Sequence, residues 1–222
     1  MSDINALRDE LLGYDTCLVS DVLEKLGLPC GITGIHRQAT ATRIFGRAVT
    51  MRLEQFQGIV AKKHLGTTAI DLAAPGDIIV IQHQSRADCA GWGGLLSTAA
   101  KGRGVGGVVV DGMVRDIDES ETLAFPVFSR GVTPVTARNR VVEVAVNEPV
   151  DLAGVRVMPG DYIMADGSGV AVMPAARLED VVAAARAMMD LENGIRDAIA
   201  AGKPLSAAMN ESYERATRKP AS

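Results

Sequence analysis

Cysteine, histidine and aromatic residues are all scarce in this 222-residue chain, and each scarcity closes off a class of function. Three cysteines, Cys17, Cys30 and Cys89, are an odd number at wide spacings. They fit neither a disulfide framework nor a closed zinc site and predict buried free thiols. The histidines are His36, His64 and His83, none of them four residues from another or beside a cysteine cluster, so a histidine-rich catalytic metal site is not expected. Aromatics make up only 4% of the residues, too few for platforms on which bases stack. An excess of positive charge is missing too. The formal net charge is -4, which argues against neutralising a phosphate backbone, so no nucleic-acid partner is expected. The longest apolar runs, such as Ile78 to Ile81 and Val108 to Val110, are far shorter than the roughly 20 residues of a membrane helix. No membrane span is expected. The first residues lack a basic segment followed by an apolar core, so no secretory signal is visible and a cytoplasmic location is expected.

What is present is apolar sequence and glycine: 47% hydrophobic residues, with 23 glycines. That suffices for one sizeable core of thin, closely packed layers. With no repeat, linker or low-complexity tract, residues 1–222 are expected to form a single α/β domain. Helical stripes run through Leu7, Leu11 and Leu12 and through Thr16 to Leu26, the second stopping at Gly27. Ala41 to Glu54 reads as a half-buried strand, and Thr67 to Ala73 as a helix closed by the turn Pro75-Gly76-Asp77. A strand (Ile78 to Gln82), a helix (Leu95 to Lys101) and a second strand (Gly107 to Asp111) then make one unit. A short acidic helix is expected to begin within Ile117 to Glu121. Further strands are expected at Val127 to Ser129, Val141 to Val146 and Arg156 to Met158, and a hairpin pairs Tyr162 to Asp166 with Val170 to Met173. The C-terminal segment, about 178–217, reads as helical, with the long helix Leu178 to Ala201 followed by one or two turns within Leu205 to Thr217.

Gly102 to Gly107 matches the pattern G-x-G-x-x-G, yet these glycines follow a helix and enter a strand. A dinucleotide fingerprint needs the reverse, because the pyrophosphate sits on a helix N-terminus, so they read as a tight connection. Gly91 to Gly94 does open a helix. Free amides near Gly94, Leu95 and Leu96 could attract a carboxylate or phosphate, or the glycines could simply allow close packing. Arg115-Asp116 follows a buried strand, where open α/β sheets tend to place ligands. The carboxylate suits Mg2+ or Mn2+ and the guanidinium suits a carboxylate or enolate oxygen; the plain alternative is a surface ion pair or a helix cap. Asp118, Glu119 and Glu121 read as a solvated first turn, Asp166 as a hairpin-turn residue, and Asp111 as either a turn residue or a group behind the site.

Gly94, then twenty residues, then Arg115-Asp116, then two residues, then Glu119 fits a G-x20-R-D-x2-E/D signature. The stretch GGLLSTAAKGRGVGGVVVDGMVRDIDE, ending at Glu119, resembles the 4-hydroxy-4-methyl-2-oxoglutarate aldolase family, which is related to regulator of ribonuclease activity A (RraA). The likeness extends from TCLVSDVLEKLG through PGDIIVI to YIMADGSGVAVMP. It implies a layered α/β sandwich of the RraA-like, swivelling β/β/α type. It also implies a metal-dependent class II pyruvate aldolase that decarboxylates oxaloacetate, assembled as a homotrimer or a dimer of trimers with sites between subunits. By the resemblance, Asp116 is the direct ligand of Mg2+ or Mn2+ and Arg115 holds the pyruvyl oxygens. The amides near Leu95 and Leu96, with Gly94 at the helix start, receive the pyruvate carboxylate. Glu192 reaches a neighbouring subunit's metal-bound water. No lysine need form a Schiff base, and the hydroxyl proton is expected to go to metal-activated water because no histidine is near in sequence. A non-catalytic regulator that binds a protein partner is the competing reading. A lyase acting on another oxo acid or sugar acid is a third.

Overall fold

Val108, Val109 and Val110 point alternately into two different cores, and that alternation sets the architecture. The computed structural model describes residues 4–58 and 63–209. In chain order the elements are α1 (Ile4–Leu11), α2 (Thr16–Lys25), β1 (His36–Ala39), β2 (Ile44–Gln55), α3 (Thr67–Leu72), β3 (Ile78–Ala90), α4 (Gly94–Gly102), β4 (Gly107–Val114) and α5 (Ile117–Thr122). There follow β5 (Val127–Val132), β6 (Val141–Val146), β7 (Val150–Leu152), β8 (Val155–Val157), β9 (Tyr162–Ala165), β10 (Val170–Met173), α6 (Leu178–Ala200) and α7 (Leu205–Ala208). The expected turns within 210–217 lie outside the described residues.

One sheet runs β1-β5-β4-β3-β2-β9-β10, with β6 pairing the far end of β2. The pairs β2/β3, β3/β4 and β4/β5 are parallel, as helix-connected strands require. The long strand β2 lets the sheet curl: Ile44 to Arg47 pair antiparallel with β9, while Ala48 to Arg52 pair with β3. A central core gathers Ile78, Val80 and Val109 from one part of the sheet with Ile163, Val170 and Val172 from the other. The opposite faces are covered by helices. Ile79, Ile81, Val108 and Val110 pack with Leu96 and Ala100 of α4 and Ala69 and Ile70 of α3, whereas Met164, Ala171 and Met173 pack with α1, α2 and α6. Strands buried on both faces must be apolar at every position, hence the unbroken runs IIVI and VVV. The result is the layered α/β arrangement that the sequence predicts.

Several expectations need correction. Cys17 and Cys30 are exposed; only Cys89 is buried. β4 continues past Asp111 to Val114, so Asp111 is a buried strand residue rather than a turn residue, ion-paired with Arg130 Nε at 2.5 Å and accepting from Ser85 Oγ at 3.1 Å. β3 extends to Ala90 because register shifts after Ile81 and Arg86 absorb its polar residues. β1 and β7 carry too little apolar periodicity to be read from sequence. The hairpin, by contrast, stands as expected: Asp166 accepts from Ser168 N at 2.9 Å within the turn and from Thr16 N and Oγ1 across it.

Candidate functional site

The chain passes directly from β3 into the glycine loop and from that loop into α4, while β4 delivers Arg115 and Asp116 alongside. Two backbone hydrogen bonds tie these segments: Gly91 N donates to Met113 O at 2.8 Å and Arg115 N to Trp92 O at 3.0 Å. Loop and strand end thereby form one rigid corner at the carboxyl ends of parallel strands. Glycine lets side chains approach the backbone closely at this corner. A Cβ on Gly93 would lie 2.8 Å from Asp116 Oδ2, and one on Gly94 would fall within the Glu119 carboxyl group.

Asp116 holds a left-handed backbone (φ 58°, ψ 42°), a conformation that aspartate tolerates better than most residues. Its carbonyl accepts from Ser120 N at 3.1 Å and Ser120 Oγ at 3.3 Å. Ser120 continues a buried chain of polar groups: its Oγ lies 2.9 Å from Ser97 Oγ, which in turn accepts from Trp92 Nε1 at 2.9 Å. Trp92, Ser97 and Ser120 are all buried, so this chain fixes loop, α4 and α5 against one another.

The Asp116 carboxylate caps α4. Its Oδ2 accepts from Gly94 N at 2.9 Å and lies 3.2 Å from Arg115 Nε. Gly94 therefore does not offer the free amide that its position suggests, nor does Leu96, whose N donates to Gly93 O at 3.1 Å. Of the three expected amide donors, only that of Leu95 lacks a partner among the described residues. The Arg115 and Asp116 side chains are 38% and 39% exposed, so their pairing is solvent-screened and weak. Asp116 Oδ1 and both Arg115 Nη atoms have no partner among the described residues. The surface ion pair and the helix cap are thus both present, and each residue keeps chemistry in reserve.

These groups form one wall of a cleft of about 490 Å3. Its apolar floor includes Trp92 and Leu96, and the facing wall comes from the segments around His64, Arg138 and Glu143. Glu143 Oε2 is occupied by Gly66 N at 2.6 Å. His64, Lys63 and Arg138 are cleft residues that no sequence signal marked, because they come from segments distant in the chain from the Arg-Asp pair. Glu192 is not in this cleft. It lies on α6, where it pairs with Arg196 at 2.5 Å and, as a like charge behind burial itself, helps raise the pKa of Asp21 on α2. Lys101 is at the opposite end of α4, its Nζ donating to Ala124 O at 3.1 Å.

Among the described residues, no three His, Cys, Asp or Glu side chains gather into a set that could hold a metal by themselves. A tetrahedral zinc site is thereby a poor fit. Asp116 Oδ1, a hard oxygen on an open wall, suits Mg2+ or Mn2+, which bind through one or two carboxylates and keep water or substrate oxygens for the rest.

Fold and cleft together are those of an α/β protein with a cleft at the carboxyl ends of its parallel strands. The chain belongs to the RraA-like family: the model described as Aldolase/RraA matches residues 16–172. It is 32% identical over 205 residues to Protein DlpA of Legionella pneumophila, covering 92% of this chain but spanning only a third (33%) of that protein. It is 33% identical over 171 residues to a candidate 4-hydroxy-4-methyl-2-oxoglutarate aldolase of Halalkalibacterium halodurans, covering 77% of this chain and 78% of the relative. Among solved structures, an uncharacterized protein from Pseudomonas syringae superposes with a TM-score of 0.83 at 34% identity over 93% of this chain and 98% of the other. Streptomyces coelicolor RraAS2, described as an unusual member of the RNase ES inhibitor RraA family, superposes with a TM-score of 0.80 at 25% identity, covering 86% and 96%.

Proposed function

We propose that this protein is a divalent-cation-dependent class II pyruvate aldolase that cleaves 4-hydroxy-2-oxo acids of the 4-hydroxy-4-methyl-2-oxoglutarate type and decarboxylates oxaloacetate. The observation that carries the reading is the corner at Arg115 and Asp116: a free guanidinium fork, a free carboxylate oxygen and the Leu95 amide converge on one cleft wall. Both reactions leave an electron pair on C3 of a pyruvyl unit, and the barrier falls when the enolate oxygen meets fixed positive charge. Mg2+ or Mn2+ held by Asp116 supplies that charge as a Lewis acid when bound. Arg115 presents its Nη atoms to the same oxygen or to the neighbouring carboxylate in a planar fork. The Leu95 amide, at the positive end of α4, receives the carboxylate. The apolar floor of Trp92 and Leu96 keeps water from the carbanionic carbon. On this reading the protein works in the cytoplasm as a homotrimer or dimer of trimers, with Glu192 reaching the site of a neighbour.

The test is pyruvate release from a panel of 4-hydroxy-2-oxo acids and from oxaloacetate, with Mg2+ and with EDTA. Turnover that EDTA abolishes and Mg2+ or Mn2+ restores is expected. Turnover in EDTA with a borohydride-trapped lysine adduct overturns the metal-dependent assignment. Release from a different oxo acid alone moves the assignment to another lyase, and no release from any substrate favours a non-catalytic, protein-binding role.

A further inference from the structure

We infer that His64, in place of the metal-activated water that the sequence suggests, is the proton-transfer residue of the cleft, removing the C4 hydroxyl proton and returning it to C3. The inference rests on the aldolase reading above. His64 lines the cleft shared with Arg115 and Asp116. Its Nδ1 is 2.8 Å from the carbonyl oxygen of Leu65, which can only accept. Nδ1 therefore carries the hydrogen of the neutral ring, and the lone pair is on Nε2, which has no partner among the described residues. The backbone beneath the ring is fixed as well: the His64 carbonyl accepts from Thr67 Oγ1 at 2.8 Å and caps the start of α3. A histidine with its tautomer set by a second hydrogen bond is prepared to take a proton at one defined atom.

The other titratable residues of the cleft include Lys63, Asp116 and Glu143. Asp116 Oδ2 is held by Gly94 N and Arg115, and its other oxygen is the cation ligand of the proposed mechanism. Of the Glu143 carboxylate, Oε2 is held by Gly66 N, and what sets His64 apart is the tautomer fixed through Nδ1. His83 is fully buried in β3, its Nε2 2.9 Å from Cys89 O, and is not a cleft residue. In the cleavage step Nε2 takes the proton from the C4 hydroxyl, the electrons of that O–H bond complete a C4 carbonyl, and the C3–C4 bond breaks. Its electron pair moves to C3 and into the C2 oxygen as the enolate beside Arg115. The imidazolium then gives the same proton to C3, releasing pyruvate and restoring the neutral ring. Oxaloacetate has no hydroxyl proton to remove: carbon dioxide leaves, and C3 can take its proton from water.

The two reactions should therefore separate in one variant. His64→Gln is expected to lower kcat for 4-hydroxy-2-oxo acid cleavage by about 10²- to 10⁴-fold, the usual worth of a positioned acid or base, and oxaloacetate decarboxylation by less than about tenfold. Affinity for oxalate, measured by calorimetry as a probe of the enolate end, should not change. Added imidazole should restore cleavage to His64→Ala. An equal fall in both reactions, no fall in either, or lost oxalate affinity overturns the assignment of His64. A wild-type protein inert toward both substrates is a distinct result, which removes the aldolase reading and the role of His64 with it.

Discussion

The carboxyl group of Glu119 occupies the space that a side chain on Gly94 would need. These two residues are the ends of the sequence signature, and in the structure they touch across the start of α4. Gly94→Ala must push Glu119 aside. The displaced atoms are the far end of an exposed, flexible side chain, so stability should change by no more than about 1 kcal/mol. The neighbouring Asp116 cap and Arg115 fork shift with it, and pyruvate release should fall by about 10²-fold. Thermal denaturation beside steady-state rates checks both; a large loss of stability with normal activity would falsify this account.

Asp116→Asn separates charge from shape. The amide oxygen can still accept from Gly94 N, so α4 keeps its cap and the melting temperature should stay within a few degrees. The hard anionic ligand is gone. Titration with Mn2+ should show lost binding, and turnover should drop by at least about 10²-fold. A variant that binds Mn2+ as the wild type does would remove Asp116 from the metal site.

Burial pushes the Asp166 carboxyl up, but hydrogen bonds from Thr16 and Ser168 and the charge of Arg43 outweigh it, and its pKa ends below the ordinary aspartate value. A depressed folded-state pKa contributes stability that is complete above the unfolded-state value of about 3.9 and is lost as pH falls through the folded value. Asp166→Asn should therefore be less stable than wild type by a constant margin near neutral pH, and the margin should close below pH ~4. Urea unfolding across that range measures it; a gap that widens in acid contradicts the sign.

Shared sites can be tested by mixing. Arg115→Ala and Glu192→Ala proteins, each nearly inactive alone, should recover about a quarter of wild-type sites when unfolded and refolded together into closed rings, since each interface needs one intact half from either chain. Activity no higher than either parent, with mixed oligomers confirmed by mass, places the action of Glu192 elsewhere. An active Glu192→Ala parent removes that residue from the mechanism.

The wall of the cleft built from Gly94, Arg115 and Asp116 was legible because its residues are close in sequence and separated by one helix and one strand of readable length. IIVI and VVV reveal doubly buried strands for the same reason: burial on two faces leaves its mark at every position. His64 and Arg138 left no such trace. They reach the cleft through the curl of β2 and the pairing of β6 with it, contacts between distant segments that local patterns do not encode. The amides of Gly94 and Leu96 look open in the sequence; the Asp116 carboxylate closes the first and the Gly93 carbonyl, in a tight first turn, the second.

The segment from Gly94 to Arg115 consists of a helix that buries Leu96, Ser97 and Ala100 and a strand buried at nearly every position, and hydrogen bonds clamp its two ends together at Trp92 and Met113. It behaves as a gauge block: adding or deleting a residue there would throw the guanidinium and carboxylate off the cleft wall. The facing wall, around Arg138 and Asn139, lies between β5 and β6 in a connection anchored on either side, where Ala90 N donates to Val135 O at 2.9 Å and Phe56 N to Arg140 O at 2.8 Å. A lineage, or an engineer, can therefore vary the exposed positions Arg138 and Asn139 between those anchors to admit new leaving fragments while the enolate end stays untouched.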